Sequence, residues 1–253
     1  MSVQTFEPTF GILLYMALVY LAAGVVKGVL GIGMPLVTLP LLAGVVGPIT
    51  AMALLAVPTI LINFLQTFQS GYMTGALKRF WVAYPLLIGG IIIGVNFLTR
   101  LPRGGVFILV GTVVILISIS QILPFKRTLP QRAERWITPA VGIISGLLGG
   151  VSSFLGPLMA MYLIALRVTK DQFVGSIALF YLIAAVPFFI GLATTGHLGW
   201  MEFLASCGAC LMIWFGVLIG QRLRARASAE LFRRLVLGVL IVVGANMIRK
   251  GLM

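Results

Sequence analysis

Acidic side chains are almost missing from this 253-residue chain: five Asp and Glu stand against 18 Lys and Arg, with one His, two Cys and only 9% charged residues. Each scarcity removes a class of function. With one histidine and no carboxylate inside an apolar stretch, neither a nucleophile with its base nor a metal-binding set can be assembled, so catalysis is not expected. Cys207 and Cys210 form a C-x-x-C without the further Cys or His that would complete a zinc site, and they read as two small buried thiols. No cofactor is expected. Long polar segments are also missing, so no separate soluble domain is expected and functional residues must lie in or beside the apolar stretches.

What fills the chain instead is apolar: 60% of residues are hydrophobic and the mean hydropathy is +1.15. That is the composition of an integral, multi-pass protein of the cell (plasma or inner) membrane, embedded in lipid. Eight hydrophobic segments follow one another: 10–46, 50–69, 80–98, 106–123, 136–166, 173–194, 201–219 and 231–248. A span takes about 20 apolar residues, so the first and fifth are too long for one helix. Met1–Phe10 carries no basic residue, and the apolar run after it is too long for the core of a secretory leader, so the first segment is expected to stay.

The net charge of +13 would suggest nucleic acid in a soluble protein. Here the basic residues sit in the links between apolar segments, without interleaved aromatics, and loop charge records orientation, so no nucleic acid is expected. If all eight segments crossed once, the two sides would carry nine and eight basic residues, with Lys27 left inside the first segment. If the two long segments are re-entrant hairpins that enter and leave by one face, the count becomes thirteen against four. The second arrangement obeys the positive-inside rule and places both termini outside.

A hairpin plus three spans is an odd number of crossings, so the second half is expected to be inverted relative to the first. Self-similarity supports two halves: Gly24, Gly28 and Gly31 match Gly142, Gly146 and Gly149, Pro40 matches Pro157, Gly71 matches Gly196, Gly94 matches Gly220 and Gly111 matches Gly238. The expected fold is therefore an all-α polytopic membrane protein of two inverted repeats, each with one broken or re-entrant helical segment plus three spanning helices. The first repeat covers residues 1–125 and the second 126–253, together one integrated domain.

The breaks are the candidate site. Gly28–Pro40 and Gly146–Pro157 place Gly and Pro where a helix should run unbroken, and paired interruptions at matching positions mark the substrate site of inverted-repeat transporters. Gly24-xxx-Gly28 and Gly142-xxx-Gly146 read as close helix packing instead.

The stretch Gly24 to Pro40, GVVKGVLGIGMPLVTLP, its echo Gly142 to Pro157 and the two-half layout resemble the sulfite exporter TauE/SafE family, permeases of the toluene-sulfonate uptake type. The resemblance covers the full chain. It implies transport of a small sulfur-containing anion such as sulfite, sulfoacetate or another sulfonate.

An oxyanion suits a helix that begins inside the membrane, because unpaired N–H groups and a partial positive charge face it. Pro35 and Pro157 fit first helical turns, so half-helices are expected from Met34 and Gly156. The candidate substrate-binding residues are Lys27, Gly31, Gly33, Met34, Asn63, Gln66, Gly149, Gly150, Ser152 and Ser153. Lys27 reads either as a counter-charge for the anion or as a snorkelling lysine near a hairpin tip. Thr59, Asn63, Gln66 and Ser70 share one helix face, which either lines a cavity or hydrogen-bonds a neighbouring helix. The matching part of the sixth segment offers Ser176, Tyr181 and Thr194. His197, beside Gly196, reads as structural before it reads as a proton relay.

The acids Glu7, Glu134, Asp171, Glu202 and Glu230 all lie near segment ends or in links. Proton coupling, sodium coupling through backbone carbonyls and passive uniport all stay open on this pattern, as does a homo-oligomer. So does an anion channel, or a uniporter for another small anion, which would use the same polar lining.

Overall fold

The structure, a computed structural model, describes residues 9–30, 34–122, 128–224 and 229–253, and every regular element among them is a helix. In chain order these are α1 (Phe10–Leu30), α2 (Met34–Val46), α3 (Pro48–Ala53), α4 (Ala56–Gln69), α5 (Met73–Arg79), α6 (Ala83–Arg100), α7 (Arg103–Ile122), α8 (Gln131–Ser152), α9 (Gly156–Ala165), α10 (Lys170–Thr194), α11 (Trp200–Arg224) and α12 (Ala229–Leu252).

The eight apolar segments are all recognisable, as α1 with α2, α3 with α4, α6, α7, α8 with α9, α10, α11 and α12. Seven of them contain a helical stretch long and apolar enough to cross a membrane. The fifth segment is the exception, because α8 starts at Gln131 and carries Arg132, Glu134 and Arg135 ahead of the apolar run from Trp136. Its partner α9 is a short apolar helix of 10 residues.

The side chains are distributed as lipid demands. On α4 the apolar Ile60, Leu61, Phe64, Leu65 and Phe68 face outward while Thr59, Asn63 and Thr67 are buried. A soluble amphipathic helix has the reverse arrangement.

Both long segments fold back on themselves. The Tyr15 hydroxyl of α1 donates to the Leu41 carbonyl of α2 at 3.0 Å, across 26 residues; a continuous helix would hold them about 39 Å apart. At the other break the Leu129 N–H, just before α8, bonds the Ala165 carbonyl at the end of α9 at 2.9 Å. The chain therefore leaves each hairpin on the side where it entered, as the charge count requires.

Two compact units make up the chain: Met1–Pro58, Leu101–Leu123 and Leu192–Met253 form one, and Thr59–Arg100 and Pro124–Gly191 the other. Each draws on both sequence halves. In the first unit α1 lies on α11 so closely that a β-carbon added at Gly28 would fall 2.9 Å from Gly220 Cα, and one at Gly24 would fall 2.9 Å from Gly216 Cα. Its α7 and α12 meet through Gly111 and Gly244, and Lys250 of α12 donates to the Gly44 carbonyl near the end of α2 at 2.8 Å.

In the second unit α8 lies on α6 in the same way. A β-carbon at Gly150 would stand 2.8 Å from Gly94 Cα, and one at Gly146 would stand 3.0 Å from Gly90 Cα. The mouth of this hairpin is closed by Phe80, Tyr84, Tyr162 and Phe180, with ring centres 4.9–6.2 Å apart for the contacting pairs. Beside them Arg79 of α5 holds the Glu134 carboxylate through two bonds of 2.7 and 3.0 Å.

These seams fix a register between the breaks. With Gly94 taken as the counterpart of Gly220, the seams pair Gly28 with Gly150 rather than with Gly146, and so Pro35 rather than Pro40 with Pro157. The difference is four residues for the glycines, about one helical turn. Glycines repeated every four residues align almost equally well one turn out of step, and only the packing partner removes the ambiguity.

Candidate functional site

The break in the second unit is built from its own short-range hydrogen bonds. Ser152, fully buried at the end of α8, donates to the Leu148 carbonyl at 2.6 Å and accepts the Phe154 N–H at 3.3 Å. Ser153 then turns left-handed, at φ 62° and ψ 9°, while its N–H still bonds the Gly149 carbonyl. A non-glycine residue there costs about 1–2 kcal/mol, and it stops the helix. Three residues later α9 begins at Gly156, with Pro157 in its first turn and no side chain capping its N–H groups. The half-helix start expected at Gly156 is where the structure has it. Its counterpart α2 is described from Met34 onward.

Beside this break lies a small open hollow of about 20 Å³, room for about one water molecule. Its floor is apolar, made by Ile91, Leu155, Ala184, Ala185, Phe188 and Phe189 together with Gly149. Three hydroxyl-bearing residues, Thr59, Ser153 and Tyr181, also line it, and among the described residues no Lys, Arg, His, Asp or Glu does. Tyr181 stands over Gly156, with its hydroxyl where a β-carbon at that position would lie. Thr59 is 5% exposed and its Oγ1 has no hydrogen-bond partner among the described residues. A buried hydroxyl without a partner is unusual, and a ligand site is one of the standard explanations.

The predicted site residues fall into distinct roles. Gly149 and Ser153 line the hollow. Ser152 is spent on the turn itself. Gly150 is pressed against Ile91 and Gly94 of α6, continuing the packing stripe of Gly142 and Gly146. Asn63 donates to the Thr59 carbonyl at 2.7 Å and Gln66 is half-buried on the same helix; neither is among the lining residues of the hollow. Along this polar face the bonds of Asn63, Thr67 and Ser70 all run within α4 or its end, not to a neighbouring helix.

In the first unit Lys27 is half-buried on α1 and has no hydrogen-bond or ion-pair partner among the described residues. Met34 is buried, and its carbonyl accepts the Thr38 hydroxyl at 2.9 Å. Gly31 and Gly33 lie outside the described residues.

Thr59 and Tyr181 are polar residues that the sequence marks without assigning them to the break. Phe188 and Phe189 carry no mark beyond the neighbouring Pro187, a proline inside α10. Cys207 corrects an expectation: it is exposed, between the outward-facing Phe203 and Leu211, and only Cys210 is partly buried. His197 caps the end of α10, its N–H bonding the Leu192 carbonyl at 2.8 Å and its Nδ1 lying 3.2 Å from the Thr195 hydroxyl.

The chain thus pairs re-entrant apolar hairpins with a mostly apolar hollow beside the second break. No curated protein and no solved structure matches it. The model of the family described as Sulfite exporter TauE/SafE matches residues 16–247. The chain belongs to the sulfite exporter TauE/SafE family of integral membrane transport proteins.

Proposed function

We propose that this protein is a secondary transporter that moves a small sulfur-containing anion, sulfite or a sulfonate, and that the α8–α9 break supplies its principal contacts. The observation that carries this reading is the buried, unpartnered hydroxyl of Thr59, a residue that lines the hollow beside the α8–α9 break. The start of a helix presents unpaired N–H groups and about half an elementary positive charge. Ser153 and Tyr181 add hydroxyl donors, and Gly149 leaves the room.

Ser152 and Gly150 serve the same site indirectly, by shaping the turn and by holding α8 on α6. Asn63 and Gln66 extend the polar face of α4 away from Thr59. Lys27, Gly31, Gly33 and Met34 are the corresponding candidates at the first break, with Lys27 as the counter-charge. A small-molecule carrier of this kind needs no enzyme chemistry.

The test is uptake and counterflow of labelled sulfite, sulfoacetate, taurine and sulfate in proteoliposomes, beside Lys27→Ala and Asn63→Ala. Saturable counterflow of a sulfur anion that falls at least tenfold in Lys27→Ala is the expected result. Ohmic conductance without counterflow would assign the chain to the anion channels instead, and a folded protein that moves none of the four would overturn the reading.

A further inference from the structure

Two non-glycine residues among the described ones hold left-handed backbone, and they bracket a single helix. Ser153, at φ 62°, lies three residues before the start of α9, and Arg167, at φ 53°, lies two residues after its end. A side chain in that region is strained, and such strain gathers at switch elements. Between the two turns α9 is an apolar helix of 10 residues with no side-chain cap. Rotation about its two ends would carry it as one body.

What holds α9 in place is concentrated at the mouth of the hairpin. The Leu129 N–H bonds the Ala165 carbonyl at 2.9 Å. The Tyr162 hydroxyl is bonded to that of Thr138, which donates in turn to the Glu134 carbonyl at 2.6 Å. Glu134 is the residue that Arg79 grips with two bonds, and Phe80, next to Arg79, lies 6.2 Å from the Tyr162 ring and 5.5 Å from the Phe180 ring. The ion pair therefore seats α5 on α8 and sets Phe80 against α9. Its side chains are 30% and 20% exposed, so water competes for both charges and the pair can part at little cost.

Behind the mouth the interior is unfinished. Ser145 lies seven residues along α8 from Thr138, about 10 Å inward on the same face, and it is fully buried with an unpartnered hydroxyl. Gly149 follows one turn further, where it lines the hollow together with Thr59, whose hydroxyl is also buried and unpartnered. Buried hydroxyls without partners are rare, and a second state that admits water from the mouth would satisfy both. We infer that α9 is the moving arm of the second hairpin: it swings on Ser153 and Arg167, opens a path from the mouth past Ser145 to the hollow, and is held shut by the Arg79–Glu134 latch. The inference rests on the transport reading above for what passes through.

The experiment places one cysteine behind the latch, Ser145→Cys, in the full chain with Cys207→Ser and Cys210→Ser, and follows its reaction with a small water-soluble maleimide in detergent. The thiol replaces a hydroxyl that makes no bond. Reaction should be slow with the latch intact and about fivefold faster with Arg79→Gln or Glu134→Gln, the shift that a well-aligned exposed pair sustains. Arg79→Glu combined with Glu134→Arg should return it to the slow rate. Ser118→Cys, at another buried and unpartnered hydroxyl on α7 of the first unit, is the control for general loosening and should not respond. An equal rate at Ser145→Cys with and without the latch, or a rise as large at Ser118→Cys, would overturn the inference.

A second arm locks the mouth. In proteoliposomes a short bis-maleimide joining Arg79→Cys to Glu134→Cys should stop counterflow of labelled sulfite and sulfoacetate, while each single-cysteine variant treated alike keeps it. Counterflow that persists through the cross-link would overturn the gate as well. If the wild type moves none of the sulfur anions tested above, the transport reading alone falls, because labelling at Ser145→Cys is read without any cargo.

Discussion

Gly89 and Gly90 are neighbours on α6 with opposite surroundings, which makes them a controlled test of what holds the second unit together. A β-carbon at Gly90 would fall 2.6 Å from the Ile143 carbonyl oxygen and 2.9 Å from Gly146 Cα, whereas one at Gly89 would meet nothing within 4 Å. Carbon atoms rest about 3.5–4.0 Å apart, so Gly90→Ala requires α6 and α8 to separate by about 1 Å, and backbone atoms have no rotamer by which to yield. A gap of that size forfeits about a quarter to a half of each dispersion contact along the seam. Between helices in lipid there is no hydrophobic term to offset that loss. The cost should be that of an overpacked core, about 1–3 kcal/mol, while Gly89→Ala gains up to about 1 kcal/mol of helix propensity. At about 2–4 °C per kcal/mol for a chain of this size, the melting midpoint of detergent-purified Gly90→Ala should fall by roughly 2–12 °C, and that of Gly89→Ala should hold or rise. Gly216→Ala and Gly208→Ala repeat the comparison in the first unit, because Gly216 faces Gly24 Cα at 2.9 Å and Gly208 meets nothing within 4 Å. Equal midpoints within either pair would refute the close-packed seams.

Two further outcomes are expected. Ser153→Gly removes the left-handed strain at φ 62°, so the midpoint should rise by a few degrees while transport falls for want of the hydroxyl; a midpoint that drops would speak against strain at the break. In a background with Cys207→Ser and Cys210→Ser, Met253→Cys should react with an impermeant maleimide in intact cells and Lys170→Cys only after permeabilisation. The opposite pattern would reverse the orientation read from the loop charges.

The helices and their breaks were legible because composition and proline placement act locally. Pro157 cannot continue α8 and suits the first turn of α9, and Gly156 is where α9 begins. The buried face of α4 was legible too, since Thr59 and Asn63 have no alternative in lipid but to face protein. Less could be read about which apolar residues face inward. In a membrane protein the lipid-facing and the buried surface are both apolar, so hydropathy no longer distinguishes Phe188, at the hollow, from the exposed Ile190 or anticipates that Cys207 faces out. Gly150 shows the same limit for glycines: in sequence a packing glycine and a substrate glycine look alike, and only Gly94 across the seam separates them. The Arg79–Glu134 pair joins residues 55 apart, and no local pattern encodes it.

The acidic residues bear on how transport would be driven. Glu134 is paired with Arg79, Glu202 accepts the Gly199 N–H at the start of α11, and Asp171 lies in the first turn of α10. Glu7 and the side chain of Glu230 lie outside the described residues. Each described carboxylate thus stands at a helix end, where it caps, pairs or meets water, and none is placed in the middle of a span as a proton relay would need. The proton that such a relay would carry can instead travel on the cargo. If the cargo is hydrogen sulfite, each transport cycle moves one proton with the sulfur, and a pH gradient drives flux although no side chain titrates. Ethanesulfonate carries no proton, so a pH gradient should leave its flux unchanged, whereas the membrane potential acts on both anions alike because both carry one charge. That contrast separates cargo-borne from side-chain proton coupling, since a titrating side chain would make both fluxes respond to the pH gradient.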